Sequence, residues 1–181
     1  MKLLLIRHAA AVPSGTVGVP DDERPLTADG EARFRLAAGG LARITDRPEI
    51  LLTSPLARAR ATAGIAARAF GRIDPMIEPA LADGAVDAIL TALAVHRTAM
   101  TIALVGHEPL LSAVLARLVG VVDGDRIAFK KGGAALVDLP HGLSGAGRLV
   151  WFLEPRILRA LATVSGPRVS APRDDTSSEV A

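Results

Sequence analysis

The sequence predicts an α/β fold, a three-layer sandwich in which a mostly parallel central sheet is flanked by helices. Short apolar runs, typical of buried strands, alternate along the chain with longer segments that carry helix start and stop signals. The chain has 181 residues, 50% of them hydrophobic and 22% charged, which suits one globular domain. We expect this domain to span residues 1–164 and the Ser- and Pro-rich residues 165–181 to form a flexible tail.

The first half of the chain predicts two strands, each followed by a helix. Two short apolar runs are predicted to be buried strands: Lys2–Arg7 and Ile50–Thr53. Thr27 is the expected N-cap of the first helix, which the apolar spacing extends to about residue 44. Ser54, followed by Pro55, is the expected N-cap of the second helix, and Gly71 is expected to end it.

The second half predicts three further strands and three helices. The predicted strands are Thr101–Val105, Gly133–Leu139 and Leu149–Leu153. Pro75 and Pro79 make the segment between residues 73 and 82 irregular or a short edge strand. Asp83 is the expected N-cap of a helix that reaches about residue 96. Two more helices are expected at residues 109–119 and 156–164.

The composition excludes several classes of function. The chain has no cysteine, which rules out disulfides, thiolate zinc sites and a cysteine nucleophile. Its net charge is only +2, and with one Trp, four Phe and no Tyr it offers little for nucleic-acid binding. Its apolar runs fall far short of the roughly 20 residues of a membrane span, and no signal-peptide core follows Lys2. We therefore expect a soluble, cytoplasmic protein that binds neither nucleic acid nor membranes.

Arginine and histidine side chains stand where three of the predicted strands end. Arg7 and His8 close the first strand, Arg58 lies just after the second, and His107 follows the strand that begins at Thr101. In open α/β sheets the ligand crevice lies outside the carboxyl ends of the strands. We therefore expect these four side chains, far apart in sequence, to meet in one site.

These residue types suit the transfer of a phosphoryl group. The planar, permanently charged guanidinium groups of Arg7 and Arg58 can hold phosphate oxygens in a bidentate manner. Either His8 or His107 can attack phosphorus through a neutral imidazole nitrogen and form a covalent phosphohistidine. The other histidine, when protonated, can donate hydrogen bonds to the oxygens of the transition state.

Four segments, in order, resemble signatures of the histidine phosphatase, or phosphoglycerate mutase-like, superfamily. They are Leu5–Ala9, which is similar to an Arg-His-Gly signature, Arg24–Gly30, Ser54–Ala63 and Val105–Pro109. Each segment alone is a weak signal, but together they cover roughly residues 2–120. The short chain most resembles the small bacterial phosphohistidine phosphatases of the SixA type.

The resemblance implies a phosphoglycerate mutase-like fold and assigns a role to each residue. It implies that His8 is the nucleophile, that Arg7, Arg58 and His107 form the phosphate pocket, and that Arg24 lies at the substrate mouth. Ala9 stands where the superfamily usually has glycine, and we expect this change to be harmless if the backbone φ there is negative. No spacing of histidines and carboxylates suggests a metal site, so we expect catalysis without metal or other cofactor.

The sequence does not identify a general acid. Candidate carboxylates are Glu78, Asp83, Asp87 and Glu108, none of them in a recognisable motif. An alkyl phosphate needs a proton on its leaving group, whereas the imidazole of phosphohistidine can already carry one. The sequence therefore favours phosphohistidine on a protein as the substrate. The alternatives are a phosphomonoesterase or mutase of small phosphorylated metabolites, and a phosphate-binding module without catalysis.

Overall fold

The computed structural model describes residues 1–122, 127–144 and 146–164, so the predicted tail at 165–181 lies outside the described residues. Six strands form one sheet: β1 (Lys2–Arg7), β2 (Ile50–Thr53), β3 (Met76–Ile77), β4 (Thr101–Gly106), β5 (Ala134–Asp138) and β6 (Arg148–Leu153). Their order is β3-β2-β4-β1-β5-β6. The first four run parallel, β5 is antiparallel to β1, and β6 is antiparallel to β5. The predicted α/β sandwich with a mostly parallel sheet is confirmed.

The register of the three central strands brings their carboxyl ends to one edge of the sheet. Arg7 at the end of β1 lies opposite Gly106 at the end of β4. Thr53 at the end of β2 lies opposite Val105, one residue earlier in β4. The residues that follow these strands therefore emerge side by side.

Helices cover both faces of the sheet: α1 (Ala28–Ile44), α2 (Ala57–Ala69), α3 (Ala80–Asp83), α4 (Val86–Val95), α5 (Leu110–Val119) and α6 (Pro155–Ala162). Successive side chains of a strand point to opposite faces. Leu4 and Ile6 of β1 accordingly join one core cluster with residues of α1, α2 and α6. Leu3 and Leu5 join a second cluster with residues of α3, α4 and α5. The sheet therefore has one apolar cluster on each face, each covered by helices, which gives the three layers.

Helix α1 packs closely against α6 because a glycine stands at their contact. A Cβ atom on Gly40 would lie only 1.9 Å from the carbonyl oxygen of Leu158. At the neighbouring Gly39, the nearest atom to an added Cβ would be the Cβ of Ala162, at 3.7 Å. Only Gly40 is therefore required by the close approach of the α6 backbone.

Two of the predicted helix caps are wrong, and one is confirmed. Thr27 caps α1, since its side chain accepts a hydrogen bond from the Gly30 N–H at 2.9 Å. Ser54 does not cap α2, which begins at Ala57, because the Ser54 N–H still donates to Val105 and prolongs the sheet. Asp83 does not cap α4 either, because it is the last residue of the single turn α3.

Candidate active site

His8 and His107 lie next to each other at the carboxyl edge of the sheet. The centroids of their rings are 4.9 Å apart, with an angle of 51° between the ring planes. The His8 N–H donates to the carbonyl of Gly106, which ties the residue after β1 to the end of β4. Both side chains are largely buried, with 5% of His8 and 7% of His107 exposed. The structure thus brings together two residues that are 99 positions apart.

The backbone determines which ring nitrogen of His8 carries a proton. Its Nδ1 lies 2.7 Å from the carbonyl oxygen of Ala9, and because a carbonyl only accepts, Nδ1–H is the donor. The Nε2 atom of the neutral ring then keeps its lone pair. Burial, together with the charges of His107, Arg58 and Arg7, lowers the pKa of His8 to about 3. At neutral pH the ring is therefore uncharged.

His107 is held by a serine that follows β2. Its Nε2 and the Oγ of Ser54 are hydrogen-bonded at 2.8 Å, and Ser54 Oγ also accepts from the Leu56 N–H. The Ser54 hydroxyl can donate to Nε2, which places the ring proton on Nδ1, a buried atom without a hydrogen-bond partner among the described residues. Burial, followed by the charges of Arg58 and Arg7, lowers the pKa of His107 to about 4.

Arg58 reaches the site from the first turn of α2. Its Nη1 donates to the backbone carbonyl of Asp21 at 2.6 Å, and its Nη2 lies 3.3 Å from the carboxylate of the same residue. Its Nε is buried and has no hydrogen-bond partner in the described part of the chain. Burial lowers the pKa of Arg58, but a guanidinium remains charged at neutral pH.

Arg7 reaches the same place from the end of β1. Its Nη1 donates to the backbone carbonyl of Phe129, and its Nε is buried without a partner. Burial lowers the pKa of Arg7, and the charge of Glu108 opposes this shift. Among the described residues, Arg7 Nε, Arg58 Nε and His107 Nδ1 are therefore buried without partners, and the charges of both arginines act on both histidine rings.

Thr62 joins the segment that carries His8 to the helix that carries Arg58. Its Oγ1 accepts from the Ala9 N–H at 3.0 Å and donates to the Arg58 carbonyl at 2.7 Å. Thr62 lies in the segment Ser54–Ala63, but no local pattern there marks it as the partner of Ala9. Among the described non-glycine residues only Arg72 has a positive φ, so alanine at position 9 adopts its backbone conformation without strain.

Arg24 lies at the outer part of the site, where Asp21 holds it. Its Nε donates to Asp21 Oδ1 at 2.8 Å, and its Nη1 donates to the Val12 carbonyl at 2.8 Å. Ser14 donates to the same carboxylate oxygen. Hydrogen bonds from Ser14 and Arg24 lower the pKa of Asp21. Asp21 thus links Arg24 to Arg58, and sequence reasoning had not assigned it to the site.

The candidate carboxylates have other contacts. Glu78 accepts from the Ala80 N–H at 3.0 Å and so helps to begin α3. Asp83 is exposed at the end of α3, and Asp87 is exposed in the first turn of α4. Glu108 accepts two hydrogen bonds, one on each carboxylate oxygen. The structure shows none of them bonded to His8 or His107.

Neither a metal site nor a membrane span is found in the described part of the chain. Across residues 1–122, 127–144 and 146–164, no group of three His, Cys, Asp or Glu side chains is placed to hold a metal ion. In the same ranges no helix is both long and apolar enough to cross a membrane.

Comparison with known proteins places these features in a family. Residues 3–87 match the family model of the histidine phosphatase superfamily (branch 1). An uncharacterized protein of a Picosynechococcus species is 35% identical over 136 residues, which are 74% of this chain and 82% of that protein. The chain belongs to the histidine phosphatase superfamily.

Two solved SixA structures are similar to this histidine phosphatase. SixA from Agrobacterium tumefaciens is 29% identical, with a TM-score of 0.71 that covers 85% of this chain and 97% of that one. The protein histidine phosphatase SixA complexed with tungstate is 25% identical, with a TM-score of 0.74 that covers 87% and 99%. Family and neighbours together support a phosphatase enzyme with a SixA-like relationship.

Proposed function

We propose that the protein is a phosphatase that works through a covalent phosphohistidine on His8 and acts on phosphohistidine in a protein. One observation carries the proposal: Arg7 Nε, Arg58 Nε and His107 Nδ1 are buried without a hydrogen-bond partner among the described residues, while the charges of both arginines act on the adjacent rings of His8 and His107. Buried polar atoms are nearly always hydrogen-bonded in a functional state. A tetrahedral anion with several acceptor oxygens satisfies all three at once.

The reaction takes two displacements at phosphorus. In the first, the His8 Nε2 lone pair forms a bond to phosphorus while the bond to the leaving group breaks. The leaving group departs with the electron pair of that bond. In the second, water attacks phosphorus, the P–Nε2 bond breaks, and inorganic phosphate leaves as the water proton passes to solvent. Arg7 and Arg58 neutralise the phosphoryl charge in both steps.

The bound phosphoryl group also changes the state of His107. Its negative charge favours the imidazolium form and so opposes the burial that lowers the pKa of His107 to about 4. A protonated His107 then donates from Nδ1 to a phosphoryl oxygen while Nε2 stays bonded to Ser54. In this mechanism His8 is the nucleophile and His107 is the hydrogen-bond donor to the phosphoryl group.

The surroundings of the site favour a P–N bond as the substrate. Asp21 is the carboxylate that acts on His107 electrostatically, and its hydrogen bonds to Ser14 and Arg24 keep it ionised. An ionised, ion-paired carboxylate has no proton for a poor leaving group. The imidazole of phosphohistidine leaves without one from the enzyme. The SixA neighbours support the same substrate class.

A turnover panel tests the proposal. The wild-type protein is incubated in EDTA with a phosphohistidine-bearing protein, a phosphoserine peptide and sugar phosphates, and inorganic phosphate is measured. We expect kcat/KM to be highest for the phosphohistidine substrate. His8→Ala should lose about 10⁴-fold or more, because the covalent route disappears. His96→Ala, a histidine at the end of α4, is the matched control and should keep wild-type turnover.

The panel separates the alternatives. Faster turnover of a sugar phosphate than of phosphohistidine would favour a phosphomonoesterase of small metabolites. Phosphate binding with no turnover of any substrate would indicate a binding module. Full activity of His8→Ala would contradict the covalent mechanism itself.

A further inference from the structure

Glu108 makes contacts that a proton donor to substrate would not make. It lies between β4 and α5, directly after His107. Its Oε2 accepts from the Ser112 hydroxyl at 2.6 Å, and its Oε1 accepts from the Phe129 N–H at 3.0 Å. Both carboxylate oxygens are thus used within the protein.

The residue that Glu108 holds is the one that binds Arg7. Phe129 is buried, its N–H donates to Glu108, and its carbonyl accepts from Arg7 Nη1. The backbone of Phe129 therefore connects the Glu108 carboxylate to the Arg7 guanidinium. Glu108 also interacts with Arg7 through its charge, which favours the charged form of the guanidinium in a site where burial disfavours it.

We propose that Glu108 is a positioning residue for Arg7: through the backbone of Phe129 and through its charge, it holds the guanidinium with Nε toward the phosphoryl site. This inference rests on the proposed function in one respect, that Arg7 binds the phosphoryl group. Glu108 is thus assigned a positioning role instead of the role of general acid, for which the sequence made it a candidate. Within the described part of the chain, Glu108 is the carboxylate whose charge favours the charged form of Arg7.

The affinity for inorganic phosphate, the reaction product, tests this inference without turnover. Isothermal titration calorimetry gives Kd for the wild type, Glu108→Ala, Glu108→Gln and Arg7→Ala. Glu108→Ala should raise Kd about 10-fold or more, because Arg7 then loses both the nearby charge and the hydrogen-bonded Phe129 backbone that position it. Glu108→Gln keeps a carbonyl oxygen for the Phe129 N–H and should lose about threefold, much less than Glu108→Ala.

A double-mutant cycle shows whether Glu108 acts through Arg7. In an Arg7→Ala background, Glu108→Ala and Glu108→Gln should each change the phosphate Kd by less than about twofold. A residue with a merely structural effect would cost the same in both backgrounds, and that result would overturn the inference. If Glu108→Ala does not fold, Glu108→Gln measured in the wild-type and Arg7→Ala backgrounds shows whether Glu108 acts through Arg7. Asp87→Asn removes an exposed carboxylate near Glu108 and should leave Kd unchanged.

The outcomes separate this inference from the proposed function. If Arg7→Ala leaves the phosphate Kd unchanged, the proposed site itself is wrong. If Arg7→Ala weakens binding but Glu108→Ala does not, only the role of Glu108 is wrong. A general acid would show a different pattern, because Glu108→Gln would then slow an alkyl phosphate far more than an activated aryl phosphate. We expect equal effects on the two substrates.

Discussion

At the scale of single residues, hydrogen bonds decide what each ring nitrogen of the two histidines can do. The Ala9 carbonyl leaves His8 Nε2 with its lone pair, and Ser54 leaves His107 Nδ1 free for a ligand. Each partner is itself held by the fold, Ala9 through its N–H to Thr62 and Ser54 through its N–H to the sheet. The hydrogen-bonding state of each ring therefore depends on residues outside the histidine pair.

Removing the hydroxyl of Thr62 should destabilise the protein and lower its kcat/KM. Thr62→Val is close in shape but leaves the buried Ala9 N–H without an acceptor, which costs about 1–3 kcal/mol. Urea unfolding measures this loss, and kcat/KM should fall too because Ala9 orients His8. Thr62→Ser keeps the hydroxyl and is the matched control. Equal destabilisation by the two variants would show that the hydroxyl is not what matters.

At the scale of elements, the site depends on strands that end in register and on helices that pack closely behind them. The ends of β1, β2 and β4 supply Arg7, Ser54 and His107, while α2 supplies Arg58. On the α1 side of the sheet, the contact of α1 with α6 allows no side chain at Gly40. The packing of these helices is therefore sensitive to a single methyl group.

Gly40→Ala and Gly39→Ala form a matched pair for the α1–α6 contact. The Cβ of Gly40→Ala would collide with the Leu158 carbonyl, and overpacking of this kind costs about 1–3 kcal/mol. Gly39→Ala meets nothing closer than 3.7 Å and should gain up to about 1 kcal/mol of helix propensity. Thermal unfolding compares the two variants. A stabilised Gly40→Ala would contradict the close packing described here.

At the scale of the whole molecule, two buried imidazoles link folding to pH, because burial and the nearby arginines disfavour their charged forms. The pKa values of His8 and His107 are lowered to about 3 and about 4, whereas an unfolded histidine titrates near about 6.5. Between these values the unfolded chain binds more protons than the folded one. Stability therefore rises with pH in this interval and is lost as the pH falls below about 6.5.

The free energy of unfolding should accordingly fall between pH 6.5 and pH 5. Urea unfolding at several pH values measures the slope, which His8→Asn or His107→Asn should each reduce. His96→Asn, at the end of α4, is the matched control for the loss of a histidine outside this pair. If the slope is the same with and without His8 and His107, these two side chains do not carry the pH dependence.

Much of the fold and the central site follows from local sequence signals. Apolar runs predict the strands, Thr27 predicts the start of α1, and the rule on strand ends predicts that His8 and His107 meet. What the sequence does not predict are contacts between distant residues. Ser54 resembles a helix cap locally, but it pairs with Val105 and His107 through the sheet.

The same limit explains the missed partners of Glu108 and Thr62. Phe129 is 21 residues away from Glu108, and Ala9 is 53 residues away from Thr62. Neither distance corresponds to a helical or strand period, so no pattern in the sequence marks the pair. Such contacts exist only once the sheet has assembled.

The loop residue Asp21 has a consequence for ligand binding. Its carbonyl and carboxylate hold both terminal nitrogens of Arg58. A preorganised arginine has little rotamer freedom left to lose, and immobilising such a side chain otherwise costs roughly 0.5–1.5 kcal/mol on binding. We therefore expect an anion that binds Arg58 to meet a guanidinium that folding has already ordered.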